Sequence, residues 1–473
     1  MFVAPLLQGT DQRMNVVLIS TYELGHQPFG LASPAAWLKA EGAQVTCFDL
    51  AVQGLDLAAI AQADLIAFYA PMHTATRLAV SFLTRIRQLN PTAHLCCFGL
   101  YAPVNEVYLR KLGVQTILGG EFETGLVALV QRLRAKDFGA QREPVIALTK
   151  QAFRTPDRTG LPPLTKYAFL SLGAEQTHTA GYTEASRGCK HLCRHCPIVP
   201  VYQGHFRIVP RDVVLADIRN QVAAGARHIT FGDPDFFNGP GHAIPLVQAL
   251  HAEFPALTYD VTIKVEHLLK HAEHLPILRE TGCLFVTSAV EAVDDAILKL
   301  LDKGHTRADF VQAATLCRDS GLSFNPTFVA FNPWLSLAGY LDLLNLIAEL
   351  DLVEQVAPIQ HAIRLLIPAK SRLLELPEVQ ALVEPFDEAA LVYPWSHPDP
   401  RVDALQQAVF QLVQQAETEG ASRHAIFTKV WELAVSAYAI AEKQPAPTLA
   451  SPSPLLATDT LRFTPRLSEP WYC

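Results

Sequence analysis

The densest chemistry in this chain lies in Ala185–Pro200, ASRGCKHLCRHCPIVP, which sets Cys189, Cys193 and Cys196 in a Cys-x3-Cys-x2-Cys spacing. Three thiolates on one short loop can each bind a different iron of one cubane cluster and leave the fourth iron open. An open iron is what a cluster that binds and acts on a substrate needs. Arg187, Lys190, His191 and Arg194 lie beside the cysteines, and positive charge favours thiolate over thiol. The competing chemistry is a structural zinc site completed by His191 or His195. Zinc ribbons carry a second ligand pair roughly 10–20 residues away, whereas the next cysteine here is Cys283. The spacing therefore points to a [4Fe–4S] cluster.

The elements that must position this loop follow from the apolar pattern. Asn15–Ser20, Gln44–Asp49, Asp64–Tyr69, His94–Gly99 and Gln115–Gly119 are short strand-like runs with helical stretches at Pro34–Glu41 and Thr76–Gln88 between them. Continuous apolar strands between amphipathic helices imply a parallel sheet covered on both faces, so residues 14–140 read as a Rossmann-like doubly wound domain. Residues 141–180, with Leu161-Pro162-Pro163, read as a linker. A second series then gives strands at His228–Gly232, Thr258–Lys264, Cys283–Ser288, Leu322–Thr327 and Ala362–Ile367. With a first strand just before Cys189 these make a partial (β/α)6 barrel over 181–370. Residues 371–445 read as a helical extension and 446–473 as a Pro-rich, flexible tail. The fold class expected is thus α/β: a doubly wound sheet, a partial barrel and a helical extension.

The cysteine spacing after a first barrel strand resembles that of the radical S-adenosylmethionine superfamily. His195 stands where that family usually has an aromatic residue. The resemblance implies that the cluster's open iron chelates the amino and carboxylate groups of S-adenosylmethionine, and that one electron splits a carbon–sulfur bond of the sulfonium. It also places further cofactor contacts. Gly232, Asp233 and Asp235 occupy the strand end that receives the methionine amino group, with the glycine permitting close approach and an aspartate accepting. Lys264 and Glu266, two apart, face one way in a strand and suit a ribose or carboxylate. Ser288 and Glu291 end the strand that contacts the ribose. For each the plain alternative is structural: a turn, an exposed ion pair or a helix cap. Lys303-Gly304-His305-Thr306 reads first as a helix stop and restart and second as a substrate loop.

The first domain resembles the cobalamin-binding domain that precedes many such barrels. The likeness rests on Pro28-Phe29-Gly30-Leu31-Ala32 and on Gly119-Gly120-Glu121-Phe122-Glu123. Glycines at strand ends would let the backbone approach a cofactor tail. The cobalt-ligating Asp-x-His-x-x-Gly loop is absent, since the corresponding stretch reads Tyr22-Glu23-Leu24-Gly25-His26. Two alternatives stay open: a cobalamin-binding domain, or an empty one that caps the barrel. The final SEPWYC resembles the tail of a radical subgroup that ends in Cys-selenocysteine-Ala-Glu-Pro or Cys-Cys-Ala-Glu-Pro. A selenocysteine codon read as stop would account for an end at Cys473.

Composition narrows the rest. The net charge of -8, without a Lys/Arg block, argues against a nucleic-acid substrate, including transfer RNA. No stretch approaches the roughly 18 apolar residues of a membrane span, no signal peptide is visible at Met1–Arg13, and the cysteines show no disulfide framework. The expected setting is the reducing cytosol. The expected reaction is cobalamin-assisted methyl or alkyl transfer to a small molecule, with a low-potential donor such as flavodoxin or ferredoxin as electron source. The alternatives are a cobalamin-independent rearrangement, aminocarboxypropyl transfer, a redox sensor, or a zinc-stabilised binding module.

Overall fold

The computed structural model describes residues 13–173, 176–442 and 464–468. The described residues fall into two compact units, one of 13–22 with 28–162 and one of 23–27 with the residues from 163 onward.

The first unit is built on a fully parallel sheet. Its strands are β1 (Asn15–Ser20), β2 (Gln44–Asp49), β3 (Leu65–Tyr69), β4 (His94–Phe98), β5 (Thr116–Gly120) and β6 (Ile146–Ala147), in the order β2-β1-β3-β4-β5-β6. Alternation along each strand feeds two separate cores. Leu18, Ala67 and Phe98 join Leu31, Leu38 and Leu126 on one face. Val17, Ile66 and Leu95 join Leu83 and Ile86 on the other. That explains why the strands are apolar at successive positions: both faces are covered. A buried ion pair closes the far edge, with Arg132 Nε 2.7 Å from Glu143 Oε1.

The second unit carries the sheet β14-β13-β12-β11-β8-β7-β15. Here β7 is Phe169–Ser171, β8 Thr177–Thr183, β11 His228–Phe231, β12 Thr258–Thr262, β13 Cys283–Glu291, β14 Ser323–Phe328 and β15 Arg466–Leu467. The five strands from β8 to β14 run parallel, with helices between them, as a curled half-barrel. A separate antiparallel pair, β9 (Ser186–Gly188) with β10 (Phe206–Ile208), flanks the cysteine loop. Two long helices, Pro400–Thr418 and Arg423–Glu442, follow the barrel, the first capped by the Asp399 side chain.

Several sequence expectations change. The first barrel strand is Thr177–Thr183 rather than the segment immediately before Cys189. Its THTAGYT is too polar to read as a buried strand, and part of it lay in the expected linker, which also contains β6 and β7. Ala362–Ile367 forms no sixth strand, only a parallel bridge between Phe331 and Arg364. Pro333 follows Phe331 closely and Pro368 ends the other run, so neither side can extend its ladder. Arg364 instead stacks on Trp395, 3.6 Å from the ring centroid, and pairs with Asp403. Within the expected flexible tail, Arg466 and Leu467 pair antiparallel with β7. Residues 446–463 and 469–473 of that tail, Cys473 among them, lie outside the described residues.

Candidate metal centre

The cysteine loop leaves β9 at Gly188, whose φ of +75° is left-handed. A Cβ there would meet His205 O at 2.4 Å, so the turn requires glycine. Asn238 holds the loop's first residues: its Oδ1 accepts from Lys190 N at 3.2 Å and lies 3.9 Å from Cys189 Sγ. The far side is pinned by downstream chain. Arg194 N donates to Leu301 O at 2.9 Å, and Arg372 donates to Leu192 O at 2.6 Å. Cys189 and Cys193 are buried and Cys196 half-buried, all as free thiols. Burial pushes the Cys196 thiol up to about 12, with the Cys193 sulfur next to it adding to the rise. Thiols in such a place become thiolates when a cation compensates them.

The compensating charges differ from those expected from sequence. Arg187 is paired with Glu184 at 2.6 Å, Arg194 donates to Leu300 O, and Lys190 lies over the Phe206 ring. Two distant lysines take their place. Lys264 Nζ lies 3.8 Å from Cys193 Sγ, and the buried Lys303 keeps its ammonium through Glu291 and, secondarily, the sulfurs of Cys193 and Cys196.

The expected cofactor contacts divide into two sets. Gly232 and Asp233 belong to the framework. A Cβ on Gly232 would fall 1.8 Å from Tyr182 Oη, so the Tyr182 ring uses the missing side chain. Asp233 accepts from Ala185 N at 2.9 Å and Ser186 Oγ at 2.5 Å, tying β11 to the base of the loop. Burial raises its carboxyl to about 7. The others gather around the cysteines. Asp235 Oδ2 lies 2.6 Å from His267 Nδ1 and 3.7 Å from His191 Nε2. Glu266 Oε2 lies 3.5 Å from His191 and 3.8 Å from Lys264. These two are neighbours because Lys264 precedes the helix Val265–Lys270 and Glu266 is in its first turn, rather than through strand alternation. Glu291 ends β13 at φ +70° and binds His195 Nε2 at 3.0 Å and Lys303 Nζ at 3.4 Å. Although burial opposes it, the adjacent Lys303 and His195 hold its carboxyl down to about 2. Ser288 lies on the same strand.

Sequence reasoning missed His267 and Asn238, and it read Lys303 and His305 first as a helix boundary. They lie on different elements, Asn238 after β11, His267 in the helix after β12, and Lys303 and His305 in the turn between the helices Asp295–Leu300 and Arg307–Asp319, so no shared local pattern points to them.

The donor set fits a cluster and a polar ligand. Buried side-chain atoms without a hydrogen-bond partner among the described residues include several of this region: His191 Nε2 and His195 Nδ1 in the cysteine loop, both ring nitrogens of His305 two residues from Lys303, and Ser288 Oγ on β13. Buried polar groups are ordinarily satisfied, so a concentration of unsatisfied ones marks a place that receives polar atoms. A cleft of about 430 Å³, open mouth included, lies at the ends of β13 and β14 against Glu291, Asp294, Trp334 and Ser336.

In the first unit the glycines do not form a vacant cradle. Added Cβ atoms would strike the Tyr69 ring from Gly30, Pro103 from Gly119 and Ala147 O from Gly120, at 2.1, 2.2 and 2.2 Å. What remains available is polar. Ser20 Oγ, at the end of β1, and Gln151 Oε1 are buried without partners. Gln151 Nε2 bridges the buried Glu121 and Glu123 at 3.1 and 2.9 Å.

Comparison with known proteins agrees with this geometry. Residues 183–332 match the model of the Radical SAM superfamily. A tRNA-2-methylthio-N(6)-dimethylallyladenosine synthase of Chlorobium chlorochromatii is 26% identical over 148 residues, covering 29% of this chain and only 32% of that protein. A Methanocaldococcus jannaschii protein named "Putative methylthiotransferase" is 23% identical over 73% of this chain and 76% of its own length. Among solved structures, the cobalamin-dependent S-adenosylmethionine radical enzyme OxsB with aqua-cobalamin bound superposes with a TM-score of 0.63 at 15% identity, over 84% of this chain and 66% of that one. The radical S-adenosylmethionine methyltransferase TsrM of Kitasatospora setae gives 0.60 at 16% identity, over 79% of this chain and 76% of its own.

Proposed function

We propose, from the match of residues 183–332 to the model of the Radical SAM superfamily, that this chain is an enzyme that cleaves S-adenosylmethionine reductively and transfers a methyl or alkyl group to a small molecule with the help of cobalamin. The observation that carries the proposal is the triad of Cys189, Cys193 and Cys196 among unsatisfied buried polar atoms. When bound, the cluster supplies the single electron that splits a carbon–sulfur bond of the sulfonium, and cobalamin supplies a carrier for the transferred group.

The chain's own residues do the rest. Cys189, Cys193 and Cys196 would hold the cluster, and Asn238 and Gly188 set the curve of the loop. Lys264 and Lys303 offset the sulfur charge. Asp235, Glu266, Ser288 and His305 offer acceptors and donors for the amino, carboxylate and ribose groups of S-adenosylmethionine. Buried side chains around them limit water, which strengthens each polar contact. In the first unit, Ser20 and Gln151 are the groups that would receive the polar tail of cobalamin. Support for that part comes from the fold shared with OxsB and TsrM, both described as holding cobalamin. A low-potential flavodoxin or ferredoxin is the electron source we infer.

The test is anaerobic loading of the full chain. Iron and sulfide near four per chain, with an electron paramagnetic resonance signal that changes on adding S-adenosylmethionine, supports the cluster reading. Retention of aqua-cobalamin through gel filtration, lost in Ser20→Leu, supports the cobalamin reading. Zinc without iron at the three cysteines would overturn the first, and no retained cobalamin the second.

A further inference from the structure

Lys303 is an unusual place for a positive charge. Its side chain is 3% exposed, and its ion-pair partner, Glu291, is 10% exposed. An ion pair withdrawn this far from water loses about as much in desolvation as it gains in attraction, so on its own it explains little. The turn that carries Lys303 is specialised. Asp302 before it and Gly304 after it are both left-handed, at φ +57° and +76°. Lys303 N donates back to Leu298 O at 3.1 Å, while Leu301 O accepts from Arg194 N in the cysteine loop. The turn and the loop are thus joined by backbone, and the buried lysine ends on Glu291, which also binds His195 beside Cys196.

Glu291 orients the arrangement. Its carboxylate takes Lys303 Nζ at 3.4 Å and His195 Nε2 at 3.0 Å, and His195 immediately precedes Cys196. Beyond Glu291, the negative charge that acts on this buried lysine is that of the sulfur set. Three thiolates around a cubane leave it negative, and reduction adds one more negative charge in a poorly solvated place. A fixed ammonium stabilises the reduced form more than the oxidised one.

Resting on the cluster reading above, we propose that Lys303, oriented by Glu291 and linked through it to His195, is a positioning residue that sets the reduction potential of the cluster held by Cys189, Cys193 and Cys196. Lys264 supports the same function at Cys193. Glu291 thereby serves the cluster's electrostatics, rather than only a ribose.

The test is a mediated redox titration of the full, iron–sulfur-loaded chain without S-adenosylmethionine. Dithionite is the one-electron donor, and the reduced cluster is read by electron paramagnetic resonance. Lys303→Met should make reduction at least tenfold less favourable, a fall of about 59 mV for a one-electron couple. Lys303→Arg, which keeps the charge, should stay within threefold of the parent. Glu291→Gln should shift in the opposite direction, and the double variant should fall between the two. A purely structural role would lower iron content or melting temperature and leave the potential where it was. Loaded Lys303→Met at the parent potential overturns the inference. If that variant does not hold a cluster, Glu291→Gln decides, since its unchanged potential overturns it equally. Failure of the unsubstituted chain to take up iron is a separate result, and it sinks the functional reading instead.

Discussion

Replacing Gly232 by alanine separates two uses of a small residue at a strand end. The new Cβ would lie 1.8, 2.1 and 2.6 Å from Tyr182 Oη, Cζ and Cε2. All three atoms belong to one rigid phenol, and its backbone is fixed by the β8–β11 pairing, in which Tyr182 is the register partner of Thr230. The ring must move or the strand end must shift. Overpacking of this kind costs about 1–3 kcal/mol, and a rigid ring points to the upper half of that range. We expect Gly232→Ala to lower the urea midpoint of the metal-free chain by an amount equal to about 2 kcal/mol, with an unchanged denaturant slope. Tyr182→Ala in the same background should relieve the clash, so that the pair couples by at least about 1 kcal/mol in a double-mutant cycle. The reasoning is refuted if Gly232→Ala unfolds like the parent while losing S-adenosylmethionine binding. That result would show that the glycine is reserved for the cofactor.

Two further predictions concern the first unit. Glu143→Ala leaves Arg132 buried without its carboxylate, and should destabilise that unit by about 3–5 kcal/mol; urea unfolding checks it, with Arg132→Met in the same chain recovering part of the loss. His94 is buried against Thr116, and burial holds its pKa at about 4 instead of 6.5. Its folded form therefore favours the neutral ring, so the stability it contributes is present above pH 6.5 and is lost as pH falls towards about 4. The loss is at most about 3 kcal/mol, and His94→Gln should flatten the pH dependence of the melting temperature across that window.

How much of this could be read in the sequence depended on whether the signal was local. The strands β1 to β5 were legible because a sheet covered on both sides needs apolar residues at successive positions, as in Leu65–Tyr69 and His94–Phe98. β8 was not, because Thr177, His178 and Thr179 give no apolar run, and their place is set by pairing with β11 and β7. The run Ala362–Ile367 looked like a strand, but its possible partner stops at Asn332-Pro333. At the site, the three cysteines were visible from spacing alone. The cations beside them were not. Arg187 and Arg194 are close in sequence yet committed elsewhere, while Lys264, just past β12, reaches Cys193, and Lys303 is brought in from a turn between two later helices. The glycines of the first unit also make room for Tyr69, Pro103 and Ala147, which no local pattern announces.

The most direct test of the central claim is to reduce the anaerobically loaded protein in the presence of S-adenosylmethionine and identify the nucleoside products by mass spectrometry, beside a Cys193→Ala control. The account predicts 5′-deoxyadenosine or, with cobalamin added, S-adenosylhomocysteine as well, both absent from the control. A loaded, reducible cluster that yields no nucleoside product, or product formed equally well without Cys193, would contradict it.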